Sequence, residues 1–328
     1  MSAKPFISYV VPQRGRYQML LSTLDSLFKQ ALRGLEAEII IVTQDDDLSL
    51  DGVFEALGIS EPAIPVSLVY GDSSKVISHS RNLGAQQARG QYIAFVDADM
   101  ALSPEWTSLL IDVLEGDTGS VLAGGSQVLS TGAGTVETLR AAMTNLGNDT
   151  GVAYLPGHNL ILSREIYDRI GGFPEHLITC EDVWFTDKAR ESGLVWKSSA
   201  AAFIHLGEDM NYAALFKKEI WRGRSNLQSL AGRKLELREV PSLLIPPGSL
   251  FLVVAAVIAL ILAKPGYALG ALLLLLAAPV AWALRLRSSE TQPVRLLPAI
   301  WMYLLYFIAR GIGMIAGLLP ERRETSHA

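Results

Sequence analysis

Two long uncharged stretches in the last third of the chain limit most strongly what it can fold into. Residues 243–263 are apolar except for a Pro-Pro-Gly-Ser interruption at 246–249, and residues 267–284 carry no charge. Each stretch is close to the length that crosses the hydrocarbon core of a bilayer as a helix. The sequence therefore predicts two spans near the C-terminal end, with the lipid bilayer as a partner.

A third apolar stretch, residues 296–319, contains Arg310. A charge at that position is compatible with a third span, a re-entrant segment or an interfacial helix. Basic residues gather before the first span and after the second: Lys217, Lys218, Arg222, Arg224, Arg233, Lys234, Arg238, then Arg285, Arg287 and Arg295. This bias predicts an inner-membrane protein whose N-terminal domain faces the cytoplasm. Arg322 and Arg323 would lie outside if the third stretch crossed, which favours an in-plane or re-entrant placement.

The first two thirds of the chain alternate between strand-like and helix-like patterns. Strand-like runs occupy residues 6–11, 38–42, 66–70 and 91–96, and helical apolar spacing covers 17–32 and 78–88. Such alternation predicts an α/β domain with a mostly parallel, doubly wound sheet. Residues 116–153 are rich in Gly, Ser and Thr and suggest loops and small strands. We expect a catalytic domain at 1–210, basic amphipathic helices at 211–242, a membrane region at 243–319 and a tail at 320–328.

Charge and cysteine content narrow the partners and the compartment. The net charge of −5 argues against a nucleic-acid-coating surface, so no nucleic-acid partner is expected. The single cysteine, Cys180, cannot form an intramolecular disulfide, and nothing in the chain requires an oxidising compartment. The apolar run at 6–11 is too short for a secretory signal, and none is expected.

Polar residues follow each predicted strand, at 12–16, 43–47, 71–72 and 97–99. In doubly wound sheets, ligands bind beyond the carboxyl ends of the strands. Asp97 and Asp99 are separated by one residue, so their carboxylates point to the same side and can share a hard divalent cation. The plainer interpretation of Asp97-Ala98-Asp99 is a turn with solvated acids.

Two sequence blocks resemble a known family. Residues 78–99, SHSRNLGAQQARGQYIAFVDAD, resemble the hallmark of glycosyltransferase family 2, in which an Arg-Asn-x-Gly helix leads to a Gly-x-Tyr-Ile strand and Asp-x-Asp. Residues 157–165, 171–175 and 181–182 are also similar to that family and to metazoan β-1,4-galactosyltransferases. The resemblance covers about residues 6–205. It implies a GT-A, Rossmann-like fold, a Mn²⁺ or Mg²⁺ ion, and a UDP-, GDP- or dTDP-sugar donor.

The resemblance also implies roles for individual residues. The implied metal ligands are Asp97, Asp99 and His205. The implied donor-binding residues are Pro12, Arg14, Arg16, Gln44, Asp45, Arg81, Asn82, Asp97, Ala98, Asp99 and Asn159. The family's Val-Asp-Asp-Gly-Ser is replaced by Val42-Thr-Gln-Asp-Asp46, so the acid assigned to the nucleobase is either shifted to Asp45 or replaced by Gln44. The identity of the donor nucleotide is therefore left open.

Several of these residues have plainer alternatives. Arg14 and Arg16 are similar to the Pro-x-Arg-x-Arg start of galactosyltransferase-like proteins but also fit surface cations. Arg81 and Asn82 reach ribose or diphosphate in one interpretation and are a helix N-terminal polar pair in the other. Asn159 is expected on the acceptor side.

An inverting transferase needs a base that removes the proton of the acceptor hydroxyl as its oxygen attacks the anomeric carbon. The resemblance implies Asp182 as this base, since it holds the second position of the Glu-Asp pair, with Glu181 binding acceptor or orienting the loop. Both acids also suit the first turn of a helix over 183–190. His205, on a strand-like stretch, has a structural alternative as well.

The basic helical stretch at 212–230 contains Trp221, Arg222 and Arg224 and favours an interfacial helix. The alternative is that Arg222 or Arg224 holds the donor or a phosphorylated lipid. Together the patterns predict a membrane-anchored, metal-dependent inverting glycosyltransferase acting in envelope polysaccharide biosynthesis on a glycan, glycolipid or lipid-linked acceptor. A polyprenyl-phosphate sugar synthase and a non-catalytic sugar-binding assembly factor are the alternatives.

Overall fold

The computed structural model describes residues 6–231, 235–288 and 294–319. Arg233, Lys234, Arg322, Arg323 and the expected tail at 320–328 lie outside the described residues. The strands are β1 Phe6–Gln13, β2 Glu36–Thr43, β3 Val66–Tyr70, β4 Tyr92–Val96, β5 Met100–Leu102, β6 Ser120–Gln127, β7 Thr150–Gly151, β8 Asn159–Ser163 and β9 Leu194–His205.

The helices of the N-terminal part are α1 Tyr17–Phe28, α2 Leu50–Leu57, α3 Ile77–Gln87, α4 Trp106–Glu115, α5 Thr135–Thr144, α6 Arg164–Ile170 and α7 Glu181–Arg190. They are followed by α8 Tyr212–Gly223, α9 Val240–Ile261, α10 Pro265–Ser288 and α11 Leu296–Ala316, with short 3₁₀ turns at Gln228–Leu230 and Leu237–Glu239.

These elements form two compact units. The N-terminal unit contains the described residues up to Ser130 together with Gly147–Gly207, and the C-terminal unit contains Thr131–Leu146 and the described residues from Glu208 onward. The division at Gly207 is close to the domain boundary expected at 210. Residues 131–146 differ from the expectation, because they form the helix α5 of the C-terminal unit and not a loop of the first domain.

The N-terminal unit is built on one mixed sheet with strand order β3-β2-β1-β4-β8-β6-β9-β5, and β7 pairs with β9. Strands β3, β2, β1 and β4 are parallel, as the alternating pattern predicts. Beyond β4 the sheet becomes mixed, because β8 runs antiparallel to both β4 and β6, and β5 runs antiparallel to β9. The doubly wound α/β prediction is therefore confirmed for the half that carries the strand–helix alternation.

Apolar side chains on both faces of the central strands explain this arrangement. Tyr9 of β1 belongs to a core that includes α1 and α4, whereas its neighbour Val10 belongs to a second core with α3, α6 and α7. Alternate strand residues point to opposite faces, so a strand buried on both sides must be continuously apolar. Gly84 allows α3 to pack closely on β1, since a Cβ there would collide with Val10. Because β1, β2 and β4 are parallel neighbours, their carboxyl ends lie at the same edge of the sheet.

In the C-terminal unit, α9, α10 and α11 are each long and apolar enough to cross a membrane. The first two match the predicted spans at 243–263 and 267–284. Helix α5 packs into the same apolar cluster as α8, α10 and α11.

Candidate active site

The Asp-x-Asp turn follows β4 at the edge where the parallel strands end. Arg81 donates from Nη2 to Asp97 Oδ1 at 2.9 Å. Asp99 Oδ2 is in contact with the guanidinium of Arg16 and lies 3.3 Å from Nε2 of His205. The side chain of Asp99 is 3% exposed, whereas that of Asp97 is 24% exposed. The two carboxylates therefore belong to one turn but have different cationic partners.

Asp99 is held in its charged form. Burial alone would raise its pKa, but His205, Arg16 and His158 outweigh that effect and keep the pKa below the ordinary range of an aspartic acid. An ionised, buried carboxylate next to an imidazole is suited to binding a cation.

The donor atoms of this turn fit a divalent ion in type and partly in position. At ligand distances of about 2.1 Å, neighbouring ligands of an octahedral ion lie about 3 Å apart, which is close to the separation of Asp99 and His205. Over the described ranges, no three or more His, Cys, Asp or Glu side chains are grouped as a ready metal site. Asp97 instead contacts Arg81. Of the three expected metal ligands, Asp99 and His205 are therefore the two that lie at ligand spacing.

Arg81 connects the Asp-x-Asp turn to the start of α7. Its guanidinium is buried, and Nη1 donates to Glu181 Oε1 at 2.8 Å while Nη2 holds Asp97. Gly157 lies against this guanidinium, and a Cβ there would come within 2.8 Å of Nη1. Arg81 is therefore held by two carboxylates, and its predicted contact with ribose or diphosphate stays a prediction.

The two acids at the start of α7 have different surroundings. Asp182 Oδ2 accepts a hydrogen bond from the hydroxyl of Tyr154 at 2.6 Å and a longer one from the amide of Gly157 at 3.4 Å. Burial and the nearby charge of Asp182 raise the pKa of Glu181 above its ordinary range, against the opposing effect of Arg81. Cys180 precedes them in the left-handed region, with φ of 64°, where a residue with a side chain is uncommon.

Tyr154 is a site residue that sequence reasoning missed. The residue as a whole is 40% exposed, while its hydroxyl donates to Asp182. Desolvation around that hydroxyl and the charge of Asp182 raise the pKa of Tyr154 well above its ordinary value, so the hydroxyl remains a donor. Tyr154 directly follows the Gly-, Ser- and Thr-rich segment at 116–153 and belongs to no motif that the sequence analysis recognised.

A cleft of about 380 Å³ lies beside the ends of β1 and β2. Its lining consists of Gln13, Gly15, Arg16, Tyr17, Asp45, Asp47, Leu48, Ser49 and Gly52. Asp45 Oδ2 accepts from Gln13 Nε2 at 2.8 Å and from the amide of Gly15 at 2.6 Å. Arg16 belongs both to this cleft and to the contact with Asp99, so the cleft and the Asp-x-Asp turn are adjacent. Gln13 was not predicted, since it occupies the first variable position of the Pro-x-Arg-x-Arg segment.

Two residues predicted to bind the donor, Gln44 and Asn82, form hydrogen bonds within the fold. Gln44 donates to the backbone oxygens of Asp72 and Lys75, at 2.9 and 3.0 Å. The oxygen of the Asn82 amide accepts from the backbone amide of Phe173 and from Tyr167, so it orders the loop after α6. Both amide groups thus form hydrogen bonds within the fold, and the expected contacts of Gln44 with a nucleobase and of Asn82 with ribose or diphosphate stay predictions.

Asn159, predicted on the acceptor side, lies in the packed interior. Its side chain is fully buried, accepts from the indole of Trp106 at 2.7 Å and donates to the carbonyl of Gly125 at 3.0 Å. Pro12 and Ala98 are buried as well, whereas Arg14 is exposed near the cleft-lining Gly15. The sequence motifs could not distinguish the predicted residues that are buried from those that are exposed.

Comparison with known proteins decides the family. The model described as Glycosyl transferase family 2 matches residues 8–171, half of the chain. The chain belongs to glycosyltransferase family 2. It is 23% identical over 243 residues to glycosyltransferase AglE of Haloferax volcanii, covering 73% of this chain and 79% of that relative. A glucosyl-dolichyl phosphate glucuronosyltransferase of the same organism is 29% identical over 113 residues, about a third of each protein.

A solved structure supports the same fold. The mannosyltransferase PcManGT of Pyrobaculum calidifontis, in complex with GDP-Man and Mn²⁺, aligns with a TM-score of 0.61 at 16% identity, covering 96% of this chain and 88% of that one. The predicted GT-A-like fold and the family are therefore confirmed. The protein is a glycosyltransferase.

Proposed function

We propose that the chain is an inverting, metal-dependent glycosyltransferase that moves a sugar from a nucleotide-sugar to a membrane-associated acceptor. The observation that carries this proposal is the pair of ion contacts made by Arg81, to Asp97 at 2.9 Å and to Glu181 at 2.8 Å. This buried arginine links the turn proposed to hold the donor diphosphate to the loop proposed to carry the base. Donor and acceptor chemistry then belong to one site of the N-terminal unit.

The nucleotide is assigned to the cleft beside β1 and β2. Asp45 is its acidic group, and Arg16 lies between the cleft and Asp99. Hydrogen-bond acceptors on Asp45 suit the N–H groups of a nucleobase, and the Arg16 cation suits a phosphate. The GDP-mannose carried by the structural neighbour supports a nucleoside diphosphate as the ligand of this fold.

Asp97, Asp99 and His205 are the residues that would hold Mn²⁺ or Mg²⁺. The ion would neutralise the negative charge that builds up on the departing nucleoside diphosphate. Arg16 contributes positive charge at the same carboxylate and suits the same phosphates, so this chain supplies part of that electrostatic support itself.

Asp182 is the proposed base. Its carboxylate takes the proton of the acceptor hydroxyl, the hydroxyl oxygen forms a bond to the anomeric carbon, and the bond from that carbon to the diphosphate oxygen breaks. Tyr154 fixes the carboxylate by donating to Oδ2. Glu181 is held by Arg81 and orients the loop. The attack on the face opposite the leaving group inverts the anomeric configuration.

The acceptor is proposed to be membrane-associated, with the catalytic domain on the cytoplasmic side. Apolar helices that are able to cross a bilayer support anchoring. A relative named for glucosyl-dolichyl phosphate supports a lipid-linked acceptor, a glycolipid or a growing surface glycan.

A donor panel tests the proposal. The full chain in detergent is incubated with UDP-, GDP- and dTDP-sugars and Mn²⁺ or Mg²⁺, and release of nucleoside diphosphate is followed with and without a chelator. Turnover with one donor that the chelator stops is expected. Absence of metal-dependent turnover with every donor, in the presence of membrane-lipid acceptors, would contradict it and favour a binding module. Transfer to bare polyprenyl phosphate would identify a polyprenyl-phosphate sugar synthase.

A further inference from the structure

We propose that α11 lies along the membrane surface, across one end of a hairpin made by α9 and α10, and that only these two helices cross the bilayer. The partner of α11 is the interfacial layer of the bilayer, where headgroups meet acyl chains. Length and composition alone make α11 a third candidate span. The contacts inside the C-terminal unit favour the in-plane placement.

The first observation is the helix that packs beside α11. Near the start of both helices, the hydroxyl of Tyr212 donates to the carbonyl of Pro298 at 3.4 Å. Near their ends, a Cβ on Gly313 would collide with the carbonyl of Ile220. Helices α8 and α11 therefore run side by side in the same direction, with their backbones in close approach.

Helix α8 cannot share the hydrocarbon core with a spanning helix. Its 12 residues include Lys217, Lys218, Glu219 and Arg222. Each charge at the centre of a bilayer costs at least about 2.5–3.5 kcal/mol. Arg310 of α11 joins this charged helix, since its Nε donates to Glu219 Oε2 at 2.5 Å. Because α8 accompanies α11, both helices belong at the same depth, outside the core.

The second observation concerns which parts of α9 and α10 contact α11. A Cβ on Gly311 would meet the carbonyl of Pro246 at 2.5 Å and Leu250 at 3.5 Å, in the first half of α9. Phe307 lies edge-on to Trp282 with ring centroids 5.9 Å apart, and Leu286 belongs to the same cluster, in the last third of α10. The beginning of α9 and the end of α10 form the same end of the hairpin. Helix α11 crosses that end.

The opposite end of the hairpin is exposed. Ile261 at the end of α9 and Tyr267 at the start of α10 are both 77% exposed. A third helix spanning the bilayer alongside α9 and α10 would be expected to contact them at both ends. Burial differs accordingly, since 44% of the apolar window of α11 is buried, against 17% for α9 and 22% for α10.

An uncharged stripe on α11 is available to the lipid. Leu297, Trp301 and Ile315 are 78%, 51% and 49% exposed and recur at helical spacing. A helix with such a stripe, packed beside a cationic helix and carrying tryptophan, has the character of an interfacial helix.

Cysteine labelling tests the side of the membrane. In a Cys180→Ser background, Lys264→Cys, Ser288→Cys and Leu318→Cys are labelled with a membrane-impermeant maleimide in sealed vesicles of both orientations. The expected result is that Leu318→Cys reacts from the same side as Ser288→Cys and from the side opposite Lys264→Cys. Reaction of Leu318→Cys from the Lys264 side would overturn the proposal, because α11 would then cross.

Spin-label depth distinguishes an in-plane helix from a re-entrant one. Nitroxides on Trp301→Cys and Ile315→Cys should report the same depth within about 5 Å, although the two positions lie about 21 Å apart along the helix. Phe251→Cys and Ile261→Cys on α9, about 15 Å apart along that helix, are the matched pair that should differ in depth. A depth difference near 21 Å across α11 would overturn the proposal even if the labelling sides agreed.

Discussion

Glu181 of the N-terminal unit and Glu219 of the C-terminal unit are both buried and both paired with arginine, yet their pKa values shift in opposite directions. Glu181 shares one arginine, Arg81, with Asp97 and lies next to Asp182, so burial and like charge raise its pKa. For Glu219, burial is outweighed by Arg310, Arg222 and Arg140, which lower its pKa to about 2.

The opposite pKa shifts reflect different balances of acids and cations around Glu181 and around Glu219. The N-terminal site has more acids than its buried cation can neutralise, and Asp97 keeps 24% of its side chain exposed. Around Glu219, cations come from α5, α8 and α11, and the side chain has no exposed area. The first cluster can still take a ligand or a proton, whereas the second fastens three helices together.

The largest effect is expected from Asp182→Asn. Loss of a general base reduces kcat by about 10²–10⁴-fold. The substitution preserves the shape of the side chain and should leave the unfolding temperature nearly unchanged. Turnover is measured as nucleoside diphosphate release, with Asp112→Asn as the control, since Asp112 is an exposed carboxylate paired with Arg33. Full activity in Asp182→Asn would break the assignment of chemistry to the N-terminal cluster.

Glu219→Gln should act on stability instead. Removing one partner of a buried ionic cluster leaves uncompensated charge and costs about 3–5 kcal/mol. The measurement is thermal or denaturant unfolding of the full chain in detergent. Glu165→Gln is the control, because Glu165 is 78% exposed in its pair with Arg169. Equal stability of the Glu219 and Glu165 variants would remove the contrast between the two clusters.

Tyr154→Phe tests whether the hydroxyl positions the base. A hydrogen bond to a charged group contributes about 1.5–3 kcal/mol, so kcat should fall by about tenfold or more. The KM for the donor should stay unchanged, because the phenol contacts Asp182 and not the cleft beside β1. A general loss of structure would move both constants, and an unchanged kcat would show that Tyr154 has no positioning role.

The smallest effect is a pair of opposite pH dependences. Glu219 has a lowered pKa, so it stabilises the fold above pH 4.5, and this stabilisation is lost as the pH falls toward 2. Glu181 has a raised pKa, so the fold loses stability as the pH rises above 4.5 and that carboxyl ionises. Unfolding temperatures are measured across pH 3–8. The difference in unfolding temperature between wild type and Glu219→Gln should become smaller in acid, and the unfolding temperature of Glu181→Gln should rise relative to wild type toward pH 8. Parallel profiles would contradict the contrast.

Local patterns were sufficient for the elements that they encode directly. The alternation of apolar runs predicted β1 to β4 and the helices α1 and α3, though not α2, and the uncharged stretches predicted α9 and α10. The motif at 78–99 led to the Asp-x-Asp turn, where His205, named as a metal ligand by the family resemblance, lies 3.3 Å from Asp99. These features depend on sequence periodicity and on short, specific spacing.

The hydrogen-bond and ion-pair partners of individual side chains could not be predicted, because these partners lie far away in the chain. Nothing near Asn159 indicates that Trp106 will bury its amide, and nothing near Arg81 indicates that Glu181 will compete with a phosphate for it. Helix α5 lacked a strong apolar pattern and joins the C-terminal unit through packing on α11. Tyr154 is recognised as a site residue only from the structure, in which α7 places Asp182 next to its hydroxyl.

Electron paramagnetic resonance of Mn²⁺ tests the proposed cation site most directly. The signal of free Mn²⁺ is recorded while the wild-type chain, Asp99→Asn and Asp112→Asn are added with UDP or GDP. Wild type and Asp112→Asn should remove the free signal at the same protein concentration, and Asp99→Asn should leave it. Binding of Mn²⁺ by Asp99→Asn as tight as by wild type would contradict a cation held at the end of β4.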